Sequence, residues 1–202
     1  MKKKNRIENW CQKHLADRKL HQLLENVDQE SAERAKKKGC PVCGEVLHWA
    51  RFRRKVRGVF DTDESIWEWR LSFCCAREGC RKRVTPASVR FLGRRIYAGL
   101  AVVLLSAMVH GLTASRVQEL REMMGVDRRT LERWRKWWLE SFPSSDFWKA
   151  ARARFSAPLC EQTLPLSLCR VFSVGEDEPK GLCKLLGFLK PITVAAAQIH
   201  AM

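Results

Sequence analysis

Apolar positions near the start of the chain recur three and four apart: Trp10, His14, Leu20, Leu23, Leu24 and Val27. That is the period of one helix face, so residues 1–38 are expected to be helical. The charged run Glu30–Lys38 extends the segment without an apolar anchor of its own. From Gly39 the period changes. Trp67, Trp69, Leu71, Phe73 and Cys75 alternate with Glu68, Arg70, Ser72 and Cys74, the pattern of a strand with one face in a core. Val46–Val59 carries a second set of strand signals, and the polar stretch Asp61–Ser65 between them is expected to be a hairpin loop.

Beyond residue 92 the period returns to helix. Ile96–Leu112 is almost wholly apolar but only seventeen residues long, with Tyr97, Ser106 and His110 inside it. A membrane span needs about 20 residues, so a buried helix is expected. Thr113 or Ser115 then starts a helix ending at Met124, Gly125 turns the chain, and Asp127 caps a second helix running to about Phe142. Pro143-Ser-Ser145 ends it, and Phe147–Phe155 is expected to form one more. Residues 156–202 hold four of the seven prolines and show no strong periodicity, with Leu182–Leu189 as a candidate short helix. The expected class is α+β: a small β unit followed by a mostly α-helical domain, with a helical N-terminus and an irregular C-terminal tail. The expected segments are residues 1–38, 39–92, 93–145 and 146–202.

Two helices joined by a short Gly turn have the helix-turn-helix outline. On the second helix, at about 100° per residue, Thr130, Leu131, Trp134, Trp137 and Trp138 share one side. Arg128, Arg129, Glu132, Arg133 and Lys136 share the other. An Arg fork matches guanine O6 and N7 in a major groove, and Glu accepts from cytosine N4. The competing expectation is a solvated amphipathic helix in a plain bundle.

Nine cysteines fall at 11, 40, 43, 74, 75, 80, 160, 169 and 183. Cys40-x2-Cys43 and Cys75-x4-Cys80, thirty-one residues apart around a β-rich segment, have the layout of a zinc ribbon. One structural Zn2+ held by these four cysteines is expected. Cys75 is preferred to Cys74 because it shares a strand face with Leu71 and Phe73, although x4 requires a wide knuckle. His48 is expected to be packed or exposed and not a ligand, and Cys11, Cys160, Cys169 and Cys183 ordinary thiols. The first residues lack an apolar signal core, so a reducing, cytoplasmic, nucleoid-associated setting is expected, with no membrane contact.

Charge favours a polyanionic partner. There are 38 Lys and Arg against 22 Asp and Glu, net +16, and the excess fades toward the end of the chain. In a DNA complex, Arg116, Arg51, Arg53, Arg54, Lys55, Arg57, Arg81, Lys82 and Arg83 would hold phosphates beside Lys136, while Arg128, Arg129, Arg133 and Glu132 read bases. Trp67, Trp69, Trp134 and Trp138 are expected to be buried.

CPVCG at 40–44, Phe73 two places before Cys75, CRKRVTP at 80–86 and GLTASRVQELREMMGVDRRTLERWRKWW at 111–138 together carry a resemblance. The chain resembles, over residues 39–142, the N-terminal DNA-binding region of bacterial insertion-sequence transposases, a zinc ribbon followed by a helix-turn-helix. The resemblance implies double-stranded DNA as partner, with a catalytic transposase subunit or self-association beside it. It does not carry over catalysis. Only sixty residues follow Phe142, too few for an RNase H-like core, and Glu176-Asp177-Glu178 reads as a solvated turn. An RNA-binding or protein-interaction module is the alternative, and a strand-transfer nuclease a further one.

Overall fold

The computed structural model describes residues 9–10, 13–53, 69–91, 99–108, 118, 126–175 and 177–192. Helix α1, Arg18–Lys38, is the spine of the fold. Asp17 caps it, accepting from the amides of Lys19 and Leu20 at 2.9 and 3.2 Å. Leu20, Leu24, Asp28, Ser31 and Ala32 form its buried stripe. Ala32 is completely covered, so the charged run at 30–38 does have an apolar anchor, a small one the hydrophobic pattern understates. The helix stops at Gly39, where φ is 74° and a Cβ would lie 2.6 Å from the Gly44 carbonyl oxygen. Conformation and space both demand glycine there.

A β unit follows. Strands β1 (Leu47–Trp49), β4 (Phe73–Cys75) and β5 (Arg83–Val84) form an antiparallel sheet in the order β1-β4-β5. Leu47 faces Cys75, and Trp49 faces Phe73. The amide of Ala50 donates to Ser72 O at 2.9 Å, and beyond it β2 (Phe52–Arg53) pairs with β3 (Trp69–Arg70). Leu71, Phe73 and Cys75 are buried as the alternation requires. The opposite face is not solvated as the pattern implied: Ser72 is fully buried and Arg70 nearly so, its guanidinium donating to Pro86 O and lying over the Phe91 ring. Trp69, expected inside, is 38% exposed. Segment 85–91 folds back over the polar face, and no periodicity announces that.

The rest is helical. Helix α2, Gly99–Met108, buries Leu100, Ala101, Val102 and Val103, and no helix among the described residues is long and apolar enough to cross a membrane. Helix α3, Arg128–Lys136, runs through a π-helical turn, Trp137–Ser141, into α4, Phe142–Ser144. Pro143 has no N–H to close on the carbonyl four residues back, and the wider π turn just before it accommodates that gap. The turn sets Trp138 against Phe142 at 4.9 Å, and Trp148 of α5 (Asp146–Ala151) meets Phe142 at 5.1 Å.

Among the described residues the C-terminal part is largely helical and not irregular, and the short helix expected at Leu182–Leu189 is part of a longer one. Residues 166–172 and 178–189 are helices α6 and α7, and Leu168, Leu182, Leu185, Leu186 and Leu189 are buried in the same core as Leu20, Leu100, Leu131 and Trp138. Two of the four prolines that suggested an irregular tail open these helices: Pro165 directly precedes α6 and Pro179 lies in the first turn of α7.

Candidate metal centre and basic helix face

Cys40 and Cys43 lie on the turn after α1, Cys75 ends β4, and Cys80 closes the loop that follows. Pairing of Leu47 with Cys75 brings the two turns to one end of the sheet. The Sγ atoms of Cys40 and Cys80 are 3.8 Å apart, those of Cys43 and Cys75 3.5 Å, and all four lie within 4.8 Å of one another. A disulfide needs about 2.05 Å, so these are four separate thiols converging on one point. Cys74 lies outside: it faces the other way and donates to Arg81 O at 3.5 Å. His48, paired with Cys74 across the strands, is exposed.

Backbone geometry around the sulfurs suits anions. The Val42 amide, helped by that of Cys43, holds Cys40 down to about 7, while burial pushes Cys75 up to about 12 against the Arg77 amide. The Lys82 amide points at Cys80. In each case an N–H two residues on is aimed at the sulfur and favours the thiolate. At Cys80 the Lys82 amide is outweighed by the neighbouring Cys43 and by burial, which raise the thiol's pKa. The longer interval is closed by two residues of positive φ, Gly79 at 83° and Arg81 at 41°, with the amides of Cys80 and Arg81 both donating to Arg77 O at 3.2 Å. This is the wide knuckle that the spacing called for. Four soft sulfur donors in a half-buried cluster are placed to hold a metal ion.

The other candidate surface is on α3. Asp127 accepts from Thr130 N at 2.6 Å, capping the helix. Thr130, Leu131, Trp134 and Trp138 are buried, and Trp137 is half-buried. Arg128, Arg129, Glu132, Arg133, Arg135 and Lys136 are exposed. Arg128 pairs with Glu132 at 2.8 Å, and Arg133 donates to Thr130 Oγ1 at 3.0 Å, so two of the Arg side chains are pre-positioned along the helix. Arg135 was missed by the helical wheel because it stands at the edge of the polar side. Arg116, the 113–125 helix and turn, Arg54, Lys55 and Arg57 lie outside the described residues, where only Gln118 is seen, in helix. Arg51, Arg53, Arg81, Lys82 and Arg83 are exposed on the β unit.

No known family, curated protein or solved structure matches this chain.

The downstream carboxylates have structural partners. Glu161 accepts from Trp148 Nε1 at 2.6 Å and lies 3.7 Å from Arg152. Asp177 caps α7 through Lys180 N, and Glu178 reaches Lys13 and His14, each at 3.1 Å. Sequence reasoning also missed a buried ion pair. Asp28, on α1, accepts from Val89 N at 2.7 Å, from Arg90 Nε at 3.0 Å and from Ser88 Oγ. The burial of Arg90 is a tertiary fact, set by segment 85–91 crossing α1.

Proposed function

We propose that this chain is a zinc-dependent, sequence-specific double-stranded DNA-binding protein, related to transposases as an accessory, a truncated form or a regulator. The observation that carries the reading is the face of α3. A helix whose apolar stripe is locked into the core by Leu131, Trp134 and Trp138 presents a row of Arg and Lys with one Glu to solvent. Such a rigid row fits a major groove, where Arg128, Arg129, Arg133 and Glu132 read base edges and Lys136 and Arg135 take phosphates. The first helix and turn expected at 113–125, Gln118 apart, lie outside the described residues, so the reading stands on α3.

The metal is Zn2+ on this reading. Tetrahedral Zn–S bonds of about 2.3 Å put sulfurs about 3.8 Å apart, and the observed pairs are at 3.8 and 3.5 Å. A closed set of four thiolates leaves no position for substrate water, so its role is structural. Arg81, Lys82 and Arg83 follow the last ligand directly and hold phosphates, which makes DNA affinity depend on the folded knuckle.

Selection from randomised duplex DNA, with and without a zinc chelator and at two salt concentrations, tests all parts together. An enriched motif that vanishes with chelator and weakens steeply with salt is expected. Failure to enrich any sequence overturns the reading.

A further inference from the structure

The two described tryptophans of the β unit lie where a folded domain gains least from them. Trp49 and Trp69 are each 38% exposed, although Trp is among the costliest side chains to leave in water. Each ring has a cation against it. Arg51 and Lys36 lie 5.6 and 5.4 Å from the centre of Trp49, and Arg53 lies 5.2 Å from the centre of Trp69. Phe52, between them in sequence, has Arg83 at 5.6 Å. The acids of the described unit, residues 39–53 and 69–91, are Glu45 and Glu78, and both belong to the cysteine-bearing turns. The strand end of the unit therefore offers π surface and positive charge, with no carboxylate contributed by residues 39–53 and 69–91 except at the far, cysteine-bearing end.

Unpaired nucleotides have the complementary chemistry: a flat aromatic base linked to a phosphate. Duplex DNA hides its base faces by stacking, so exposed rings gain nothing from it. We infer that the face made by Trp49, Trp69, Arg51 and Arg53 binds single-stranded DNA by stacking its bases on the two indoles. Trp49 already rests one side on Phe73 at 4.5 Å, which fixes the ring. A preset ring loses little freedom when a base stacks on it. Arg53 and Trp69 face each other across the β2–β3 pair, so ring and cation are held by the same two rungs of backbone. The choice of DNA over RNA rests on the duplex-binding reading above; the stacking surface itself stands on separate residues from α3.

The test uses the full-length, zinc-loaded chain and a labelled thymidine oligomer of about 12 nucleotides, within the usual range of single-strand sites. A uridine oligomer of the same length and the selected duplex are run beside it. Trp49→Leu and Trp69→Leu keep apolar bulk and remove the π face. Each is expected to weaken thymidine binding by about tenfold and to leave duplex affinity within about twofold. Zinc stoichiometry reports whether each variant folds; Trp69→Leu, on the β2–β3 pair and not the β1–β4 pair that holds the Trp49–Phe73 contact, carries the test if Trp49→Leu does not. Unchanged thymidine binding in the folded variants overturns the inference, as does an equal loss on duplex. Tighter binding to uridine than to thymidine overturns the assignment to DNA. A chain that selects no duplex sequence but binds thymidine through these two rings supports this inference and sinks the duplex reading alone.

Discussion

The two ends of α1 rest on cores built in opposite ways. Its first half, through Leu20 and Leu24, joins a large apolar cluster that gathers α2, α3, α6 and α7 around Trp138, Trp148 and Phe142. Its last turns, through Ala32, touch a cluster in which three of six buried residues are aliphatic or aromatic (Leu47, Leu71, Phe73) and two are cysteines. Apolar burial alone organises the first core. The second buries far less, and on the proposed reading a metal bridging its four thiols holds the turns together. One helix thus couples an oily core to a small one built around four converging thiols.

Removing the metal separates the two most sharply. Structural zinc contributes on the order of 10–16 kcal/mol in small Cys and His domains. Cys75→Ser, or a chelator, is therefore expected to unfold residues 40–84 while the helical end keeps its structure. Loss of β-unit amide dispersion in NMR with helical circular dichroism retained is the expected result. Simultaneous loss of both signals would mean that the two cores are a single cooperative unit.

What joins the cores is polar. Arg90 and Asp28, with side chains 2% and 1% exposed, form an ion pair at 3.0 Å between the 85–91 segment and α1. Glu25 adds a carboxylate 3.8 Å from the same guanidinium. Arg90→Met leaves Asp28 buried without its counter-charge, and is expected to cost about 3–5 kcal/mol. Asp28→Leu with Arg90→Met is expected to recover most of that loss. Urea midpoints for the single and double variants check both statements. A single variant within experimental error of the parent would show the pair to be passive.

Much of this architecture is written in local pattern, and the exceptions share a cause. The cysteine pairs, the choice of Cys75 over Cys74 and the capped α3 with its buried stripe all follow from spacings of two, three and four. Those spacings are properties of one strand or one helix. Arg70 and Ser72 fall on the polar side of the strand alternation. They are buried by the 85–91 segment, which returns from more than a dozen residues away, and Arg90 is buried with that segment against α1. Of the C-terminal helices, the stretch Leu182–Leu189 is legible and lies within α7, while α6 is not, for a related reason. Leu164, Leu168 and Leu182 are spaced by chain turns and prolines, so no single period connects them. Trp69 failed in the other direction, since alternation assigns a face but not whether anything covers it.

That C-terminal half supplies the next test of the contrast. Leu186 on α7 is buried, with its methyl group 3.6 Å from where a Cβ on Gly99 of α2 would be. Leu186→Ala is expected to cost about 2–5 kcal/mol through lost contacts and a residual cavity. The effect belongs to the helical end, so zinc affinity measured by competition is expected to stay the same. A fall in zinc affinity would show that stability passes between the cores through α1.

The smallest effects concern recognition. Arg129 on α3 and Lys82 beside the last cysteine are both exposed, so replacing either with Ala changes stability by no more than about 0.5 kcal/mol. Their losses can then be read as binding. An Arg forked onto a guanine discriminates by about 1–3 kcal/mol at one base pair, so Arg129→Ala is expected to relax the selected motif at a single position. A phosphate contact carries no sequence information. Lys82→Ala is expected to weaken every sequence equally and to reduce the salt slope by about 0.9. Binding isotherms on the selected duplex and on single-base variants, at several salt concentrations, separate the two signatures. If both variants give the same uniform loss, α3 is one more phosphate-binding surface, and the helical end has no reading role that the β unit lacks.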